Sequence, residues 1–552
     1  MAETAALLEA GGTALAGGDW VAARTAFGES VSIDQTAEGL FGLGTAHWWL
    51  GEIREAFSCW ERAYASFCRS DPAQAVEVAV GLSMLHDANA GNRTVARAWA
   101  ARAARLATTL DEPVLTAWVL LARSAVEDDP LQVAAWADRA HRIAVQTGDR
   151  DLELCAVSMR GSAFIDLGRV AEGGMLLDEA LAGALGGEGS DLYTVVFTSC
   201  QLMRACVRGA DFLRVIQWTS SLETFTERYG CPYLNATCRA SYGGVLVSTG
   251  DWARAETELA AAVDLARDAL PAVRAEAFAY LADLRLAQGR VDEARLLLAG
   301  FEDREVVLPV LVAGHLAAGE IATAVSTARG RLGHTEGRFL EEARLRELLG
   351  EVCLLEGDVA GALEEGRYLA ELAAQSESVL ITARAERLRG RALLAGMDLA
   401  EARSHLTAAR AQFSILEMPL EVARTRMAFA AALVVEEPEP AIAEARMALT
   451  VFEDLGAATD ADAAAAWLRS AGAAAARVGP KGIGLLTKRE LDVLELLADG
   501  PSNPEIAARL YLSRRTVEHH VASVLSKLGL RNRAEAAAYA TRRRASESAS
   551  RM

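Results

Sequence analysis

The sequence predicts an all-α protein, with a long array of helical hairpins followed by a small C-terminal domain of short helices. One spacing of small and apolar residues recurs along most of the 552 residues. The composition changes near the C-terminus, because all three lysines of the chain lie after residue 480. There the apolar residues also follow a sharper helical periodicity, bounded by helix-capping residues.

The recurring unit is a small residue, then a Gly, an Ala, a bulky residue and a second Ala at fixed spacing. Its first clean copy is Gly44, Gly51, Ala56, Trp60 and Ala63. The small residue would let one helix approach the next, and the Gly would occupy a turn that needs positive φ. The later offsets of four and three residues mark one face of a second helix. Each unit is therefore predicted to be a two-helix hairpin.

Further copies, with substitutions, occur at residues 11–30, 161–180, 243–262, 282–298 and 350–362. The pattern resembles the tetratricopeptide repeat, whose period is about 34 residues, although the copies here are unevenly spaced. The resemblance implies a helical superhelix with a concave binding surface. We assign residues 1–476 to this array and residues 477–485, which include "VGPKGIG", to a linker.

The two parts of the chain differ in charge. Residues 481–552 contain 13 Lys or Arg and 8 Asp or Glu, a net charge of +5. The preceding residues contain 43 basic and 67 acidic side chains, a net charge of -24. The Ala- and Arg-rich composition of the larger part suggests a GC-rich bacterial genome. A basic segment in so acidic a chain indicates a separate domain with an anionic partner.

Three short helices with marked starts are predicted in the basic part. Thr487 would cap the first, with Glu490 as its capping-box partner. Ser502 or Asn503 would cap the second, in which Pro504 is tolerated in the first turn. Ser513 would cap a third helix that ends near Leu528. We assign residues 486–545 to this domain and residues 546–552 to a flexible tail.

A helical wheel divides the third helix into three faces. The apolar face, expected to pack on the other helices, is Val517, Val521, Val524, Leu525 and Leu528. The opposite face is Arg515, Glu518, His519, Ala522 and Ser526, and a flank between them is Thr516, His520, Ser523 and Lys527. A polar helix face after a short helix and a tight turn is typical of a helix-turn-helix that enters the DNA major groove.

The segment "LTKRELDVLELLADGPSNPEIAARLYLSRRTVEHHVASVLSKLGLRNRAEAAAYA" resembles the DNA-binding domain of LuxR-type transcription regulators. The resemblance implies that Val517 is largely packing, that Thr516, His520 and Lys527 contact phosphates, and that Glu518, His519 and Ala522 meet base edges. It also implies a fourth helix, near residues 534–541, that pairs two protomers. The predicted DNA-binding set is Thr487, Asn503, Ser513, Arg514, Arg515, Thr516, Val517, Glu518, His519, His520, Ala522, Ser523, Lys527 and Arg533.

The sequence predicts no enzyme and no cofactor. It contains no G-x-x-x-x-G-K-[ST], H-E-x-x-H or G-x-S-x-G motif. His519 and His520 are neighbours on a helix and lack a third ligand at helical spacing, so we interpret them as DNA contacts rather than a metal site. The apolar runs are too short to span a membrane and the N-terminus does not resemble a signal peptide, so we expect a cytoplasmic protein without membrane contact.

Residues 193–242 hold four of the eight cysteines and many aromatic residues. We interpret this stretch as repeat core, because free Cys and aromatic residues are commonly buried. The alternative is an effector pocket or a thiol sensor.

The sequence thus predicts a sequence-specific transcription regulator that binds double-stranded DNA as a homodimer, with possible contact to RNA polymerase. Its repeat region would sense an unknown small-molecule or protein effector. The alternative is a helical-repeat scaffold that uses the C-terminal domain for docking, which would favour apolar residues where the sequence has Arg515, Glu518 and His519.

Overall fold

A computed structural model describes the chain, and it divides into two compact units, residues 1–461 and 462–552. The described residues are 2–267, 269–335, 337–473, 486, 488–498, 500–510, 514–528, 530 and 532–549; the side chains of 488, 489, 508, 514–516, 519, 526, 527 and 542–549 are not described. Regular secondary structure in this part of the chain is helical throughout. The predicted all-α fold class is confirmed.

Residues 2–470 contain twenty-five α-helices in sequence, and a short 3-10 helix, Glu305–Val307, precedes the seventeenth. They are α1 Ala2–Gly17, α2 Trp20–Ile33, α3 Ala37–Trp49, α4 Ile53–Ser70, α5 Pro72–Ala88, α6 Arg93–Ala107, α7 Pro113–Ala125, α8 Pro130–Thr147, α9 Arg150–Asp166, α10 Val170–Leu185, α11 Leu192–Arg208, α12 Phe212–Tyr229, α13 Pro232–Thr249, α14 Trp252–Ala266, α15 Pro271–Ala287, α16 Val291–Leu298, α17 Leu308–Ala317, α18 Ile321–Leu332, α19 Phe339–Glu356, α20 Val359–Gln375, α21 Val379–Ala395, α22 Leu399–Ile415, α23 Pro419–Leu433, α24 Pro438–Leu455 and α25 Ala458–Ser470. The division between the two units falls inside α25. The linker assigned to residues 477–485 lies outside the described residues.

Helices α1–α24 form consecutive hairpins, in which each odd-numbered helix packs on the even-numbered helix that follows it. The predicted spacing unit explains this packing. Gly44 in α3 is buried, and a Cβ there would lie 2.8 Å from the Trp60 side chain of α4. Ala56, Trp60 and Ala63 are all buried on the facing side of α4. The prediction of two-helix hairpins is confirmed.

Most hairpin turns place a glycine in the left-handed region, as Gly51 does with φ 80°. Two hairpin turns instead place another residue there, Ala210 with φ 58° and Met397 with φ 66°, and Glu417, in the connection from α22 to α23, has φ 54°. The hairpin of α21 and α22 was missed by the sequence pattern, because Met397 stands where the pattern requires Gly. The other positions of this hairpin follow the spacing pattern, since Gly390 of α21 and Leu406 of α22 pack closely together.

The array winds so tightly that successive turns of the superhelix touch. Helices ten positions apart in the chain are in contact: α5 with α15, α9 with α19 and α13 with α23. Hydrogen bonds also join successive turns of the superhelix. Trp20 Nε1 donates to the Tyr229 carbonyl at 2.6 Å, and the Ala272 amide donates to the Asn89 carbonyl at 3.1 Å. Five hairpins therefore complete one turn.

Turn glycines permit this stacking. Gly168, between α9 and α10, has φ 78°, and a Cβ there would collide with the side chain of Ser376. The Gly168 carbonyl accepts a hydrogen bond of 3.0 Å from the Glu377 amide. The absence of a side chain at this turn thus serves both the local conformation and the approach of the next superhelical turn.

The cysteine-rich stretch is core. Cys200, Cys206, Cys231 and Cys238 are buried free thiols, and Pro232 starts α13 between the last two, as expected. Burial raises the pKa of the Cys231 thiol to about 12. Because the thiolate is the reactive form of cysteine, this environment does not favour thiol sensing.

A buried ion network joins α19, α21 and α23 near the end of the array. Glu347 of α19 is 2% exposed and accepts from Arg387 of α21 at 2.5 Å, with Arg344 at 2.8 Å and Arg384 at 3.2 Å. Arg387 also pairs with Glu421 of α23. Burial alone would raise the pKa of Glu347, but the guanidinium groups outweigh it and hold that pKa at about 2.

The second unit contains four further helices in its described part: α26 Lys488–Leu497, α27 Asn503–Leu510, α28 Arg514–Leu528 and α29 Arg533–Ala549. Helix α29 extends eight residues beyond its predicted end at Thr541. Residues 546–549, expected to belong to a tail, lie in this helix. Among the described residues, no helix combines the length and apolar character that crossing a membrane requires.

We expect Glu347→Gln to destabilise the array by about 3–5 kcal/mol at pH 7, because it leaves buried guanidinium charge uncompensated. The native carboxyl titrates at about pH 2, below its usual value of 4.5. Its stabilisation is therefore complete above about pH 4.5 and is lost as the pH falls toward 2. Thermal melting of parent and variant between pH 7 and pH 2 should therefore show that the difference in their stability decreases as the pH falls from about 4.5 toward 2.

The matched control is Glu371→Gln, since Glu371 and Arg367 form a pair with both side chains more than half exposed. That change should alter stability by less than about 0.5 kcal/mol. A Glu347→Gln protein that melts like the parent at pH 7 would contradict the assigned role of the network.

Candidate nucleic-acid interface

Helix α28 is held by an apolar core made from all four helices of the second unit. Val517, Val524 and Leu528 are fully buried, Val521 is nearly so, and Leu525 packs at the edge of this core. The core also includes Leu494 and Leu497 of α26, Ile506 of α27 and Ala536 of α29. The apolar face predicted for α28 is confirmed, and Val517, although in the predicted DNA-binding set, lies inside the core.

The opposite side of α28 faces outward. Glu518 and Ala522 are exposed, whereas His520 and Ser523 on the flank are half-buried. Arg514, Arg515, Thr516, His519 and Lys527 lie within α28, but their side chains are outside the described part of the structure. Thr487 and Ser513 lie outside the described residues altogether. The described part of the outward face is therefore polar or small, without a large apolar side chain.

A buried polar link ties α28 to α26. Ser523 Oγ donates to Glu490 Oε1 at 2.6 Å, and Glu490 is only 5% exposed. The predicted capping box pairs Glu490 with Thr487, and the contact with Ser523 is not part of that prediction. The signal was present, because Glu490 lies four and seven residues before Leu494 and Leu497 and so shares their buried face.

Two predicted DNA-binding residues contact each other. Arg533 Nη1 donates to Asn503 Oδ1 at 2.6 Å, and Arg533 Nη2 donates to the Pro501 carbonyl. Arg533 begins α29 and Asn503 begins α27, so this guanidinium joins the starts of two helices. Both side chains thereby position the short helix that precedes α28.

The start of α27 is capped through Ser502. Its amide and its hydroxyl donate to Glu505 Oε2 at 2.6 and 2.7 Å, and its carbonyl accepts from the Ile506 amide. These bonds from the Ser502 hydroxyl and amide lower the pKa of Glu505. Of the two capping residues considered, Ser502 precedes the helix and Asn503 is its first residue. Pro504 lies in the first turn, as expected.

These contacts make a firm support for one outward helix. The core fixes the rotation of α28, the Glu490 link fixes its flank, and Arg533 fixes the helix before it. Among the described residues, no group of three or more His, Cys, Asp or Glu side chains could hold a metal ion. The arrangement suits recognition of a surface through the exposed face of α28.

We expect Val517→Asp to unfold the second unit, because it places an unpaired charge in a fully buried position. Ala522→Asp, on the exposed face of the same helix, should leave the fold intact. Circular dichroism and amide exchange of the two full-length variants would compare them directly. Equal stability of the two variants would contradict the orientation of α28.

Comparison with known proteins places this unit in a family. Residues 484–540 match the model of bacterial regulatory proteins of the luxR family. The transcriptional regulatory protein LiaR of Bacillus subtilis (strain 168) is 47% identical over 57 residues, 10% of this chain and 27% of that protein. The oxygen regulatory protein NreC of Staphylococcus aureus (strain JH9) is 43% identical over 60 residues, 11% of this chain and 28% of that protein. The chain thus spans about a quarter of the length of these relatives.

Solved structures overlap mainly with the hairpin array. The APC/C hetero-tetramer Cut9–Hcn1 covers 84% of this chain at a TM-score of 0.36 and 12% identity, with 96% of the matched chain covered. Yeast Tom70 covers the same shares at a TM-score of 0.28 and 12% identity. Neither overlap is close enough to indicate a shared function. The informative match is at the C-terminus, where residues 484–540 form a helix-turn-helix domain of the luxR family of bacterial regulatory proteins.

Proposed function

We propose that this protein is a sequence-specific transcription regulator whose repeat region senses an effector and controls the C-terminal helix-turn-helix domain. The observation that carries the proposal is the polar outward face of α28 in a domain matched to luxR-family regulators. A helix supported in this way on a compact core can enter the DNA major groove and present side chains to base edges. The protein would act by binding rather than by catalysis.

In this proposal some residues of α28 contact bases and others contact phosphates. Glu518, His519 and Ala522 face base edges, where Glu518 would accept from a cytosine amino group and His519 or Arg515 would donate to guanine. Thr516, His520 and Lys527 lie on the flank and would contact phosphates, which set position but not sequence. Of the other members of the predicted set, Thr487, Ser513 and Arg514 would assist at the backbone, whereas Ser523, whose hydroxyl donates to Glu490, and the buried Val517 would hold α28 in place.

We propose that Asn503 and Arg533 support DNA binding mainly by holding α27 in position, and that direct contact with DNA is a second contribution. Their mutual hydrogen bond occupies the Asn503 carbonyl oxygen and part of the Arg533 guanidinium. Arg533 retains other N–H donors for a phosphate, since a guanidinium carries five. The protein would bind as a homodimer on two half-sites through α29, in the cytoplasm, where it can also contact RNA polymerase.

The alternative is a docking scaffold, in which α28 would bind a protein. Docking surfaces are enriched in aromatic and other large apolar side chains at their centre. The described outward residues Glu518 and Ala522 are not of this kind, whereas charged and polar residues suit a nucleic acid. The basic charge of residues 481–552 supports the same choice.

In this proposal the acidic array restrains DNA binding. Residues 1–480 carry a net charge of -24 and would repel phosphates unless held away from the duplex. An effector bound to the array would then relieve or strengthen that restraint.

Substitutions on α28 should separate the two kinds of contact. Lys527→Ala should weaken binding to every DNA sequence. It should also make the binding constant less dependent on salt concentration, by the amount that about one phosphate contact contributes. Glu518→Ala should relax base preference at one position, with a cost of about 1–3 kcal/mol. Binding to matched and mismatched duplexes at several salt concentrations would measure both effects. Equal loss by Glu518→Ala on all sequences would contradict its base-reading role.

Selection from random duplexes tests the function itself. We expect full-length protein or residues 477–552, or both, to enrich a motif with two half-sites. If residues 477–552 enrich a motif and the full-length protein does not, the array restrains DNA binding. Tighter DNA binding by the fragment than by the full-length protein would support the same restraint. Salt-sensitive binding without an enriched motif, from either protein, would favour the scaffold.

A further inference from the structure

A cavity of about 230 Å³ lies in the first unit and is lined mostly by residues of α5, α9 and α11. Its lining includes Tyr193, Phe197, Cys200 and Tyr233, which belong to the cysteine- and aromatic-rich stretch noted in the sequence. A cavity of about 150 Å³ is large enough for benzene. This one therefore admits a single ring with a short side chain, but not a ligand of ordinary drug size.

Aromatic residues form one wall of the cavity and are braced from behind. The rings of Tyr193 and Phe197 have centroids 6.2 Å apart. Trp48 packs edge-on against Tyr193 at 5.6 Å, and its Nε1 donates to Asn89 Oδ1 at 3.3 Å. Such rings offer an apolar surface and also attract cations through their faces.

Most charged groups of the lining are matched by an opposite charge. Arg204 bonds Glu276 at 2.9 Å, and Asp166 bonds Arg208 at 2.8 Å. The other two cavity guanidinium groups are paired as well: Arg93 with Glu305 at 2.8 Å and Asp128 at 2.9 Å, and Arg338 with Glu305 at 3.4 Å and Glu341 at 3.3 Å. A ligand anion would have to compete with carboxylates already in place.

Asp87 is different. In the described part of the chain no donor forms a hydrogen bond or ion pair with its carboxylate. Burial raises the pKa of Asp87, an effect that the more distant Arg93 and Arg204 oppose. Glu127, another carboxylate of the lining, instead accepts from the Asp128 and Asp129 amides. Asp87 is thus the acid in this cavity that lacks a partner.

We propose that the cavity binds a small organic amine, with the ammonium group on Asp87 and the apolar body against Tyr193 and Phe197. The Gln201 amide also faces this space, and its contact within the described residues is the Met159 sulfur at 3.9 Å. It therefore has capacity for a hydrogen bond to the ligand. That this amine is the regulator's effector rests on the proposed function, whereas its binding to the cavity does not.

The position of the cavity connects a ligand to the winding of the array. Asp87 and Arg93 belong to one superhelical turn, and Glu305 and Arg338 belong to the next. The Arg93–Glu305 and Arg338–Glu305 pairs bridge the two turns at the cavity. A ligand held on Asp87 would add a contact beside this bridge, and so favour the tightly wound form.

The test uses full-length protein and three probes of similar shape: 2-phenylethylamine, neutral 2-phenylethanol and anionic 3-phenylpropionate. Titration calorimetry and thermal melting need no DNA, so failure here is distinct from failure of the regulator proposal. We expect the amine to bind and to raise the melting temperature, with the alcohol and the acid weaker. Asp87→Asn should bind the amine about 10- to 100-fold more weakly, as expected for loss of a hydrogen bond to a charged group.

The matched control is Asp111→Asn, an exposed acid in the loop after α6 that should leave amine binding unchanged. Without ligand, Asp87→Asn should melt at or above the parent temperature, because it removes a half-buried carboxylate that lacks a partner among the described residues. Equal binding of alcohol and amine, undiminished binding by Asp87→Asn, or no binding of the amine would overturn the proposal. An Asp87→Asn protein that unfolds would assign Asp87 a structural role and overturn it as well.

Discussion

The close approach of paired helices at positions without a side chain is the constraint on which the array depends. At Gly44 an added Cβ would lie 2.8 Å from Trp60, and at Gly243 it would lie 2.5 Å from Leu259. Small residues at these crossings set the distance between helices and therefore the curvature that each hairpin adds. Larger residues would force the helices apart, and the curvature would change with them.

That curvature brings distant parts of the chain together. Because five hairpins complete a turn, α5 meets α15 and α9 meets α19, and hydrogen bonds such as Trp20 to Tyr229 close the boundary. The contacts between turns lie beside a small cavity, and burial there makes a charge costly unless it is paired. The ion pairs of Glu305 beside the cavity meet this requirement, as those of Glu347 do elsewhere in the array, whereas Asp87 has no such pair in the described part of the chain and carries the proposed preference for an amine.

The C-terminal domain must fix the orientation of one outward helix with few residues. Its core is small, so polar links supplement apolar packing in fixing the outward helix. Ser523 on Glu490 and Arg533 on Asn503 each join helices that are remote in sequence. These contacts orient α28 from its flank and from the neighbouring helices, while Glu518 and Ala522 lie on its exposed face.

By itself the sequence determined the helical hairpins, the change of character near residue 480 and the buried face of α28, because periodicity, turn glycines and caps act over a few residues. The hairpins with Ala210 or Met397 in the left-handed turn do not match the pattern, since it requires Gly at that position. Only the tertiary structure decided that superhelical turns touch, that Arg533 joins Asn503 and that Asp87 shares a cavity with Tyr193 and Arg338. Those outcomes depend on the summed curvature of many hairpins and on pairings between residues far apart in the chain, which no local spacing encodes.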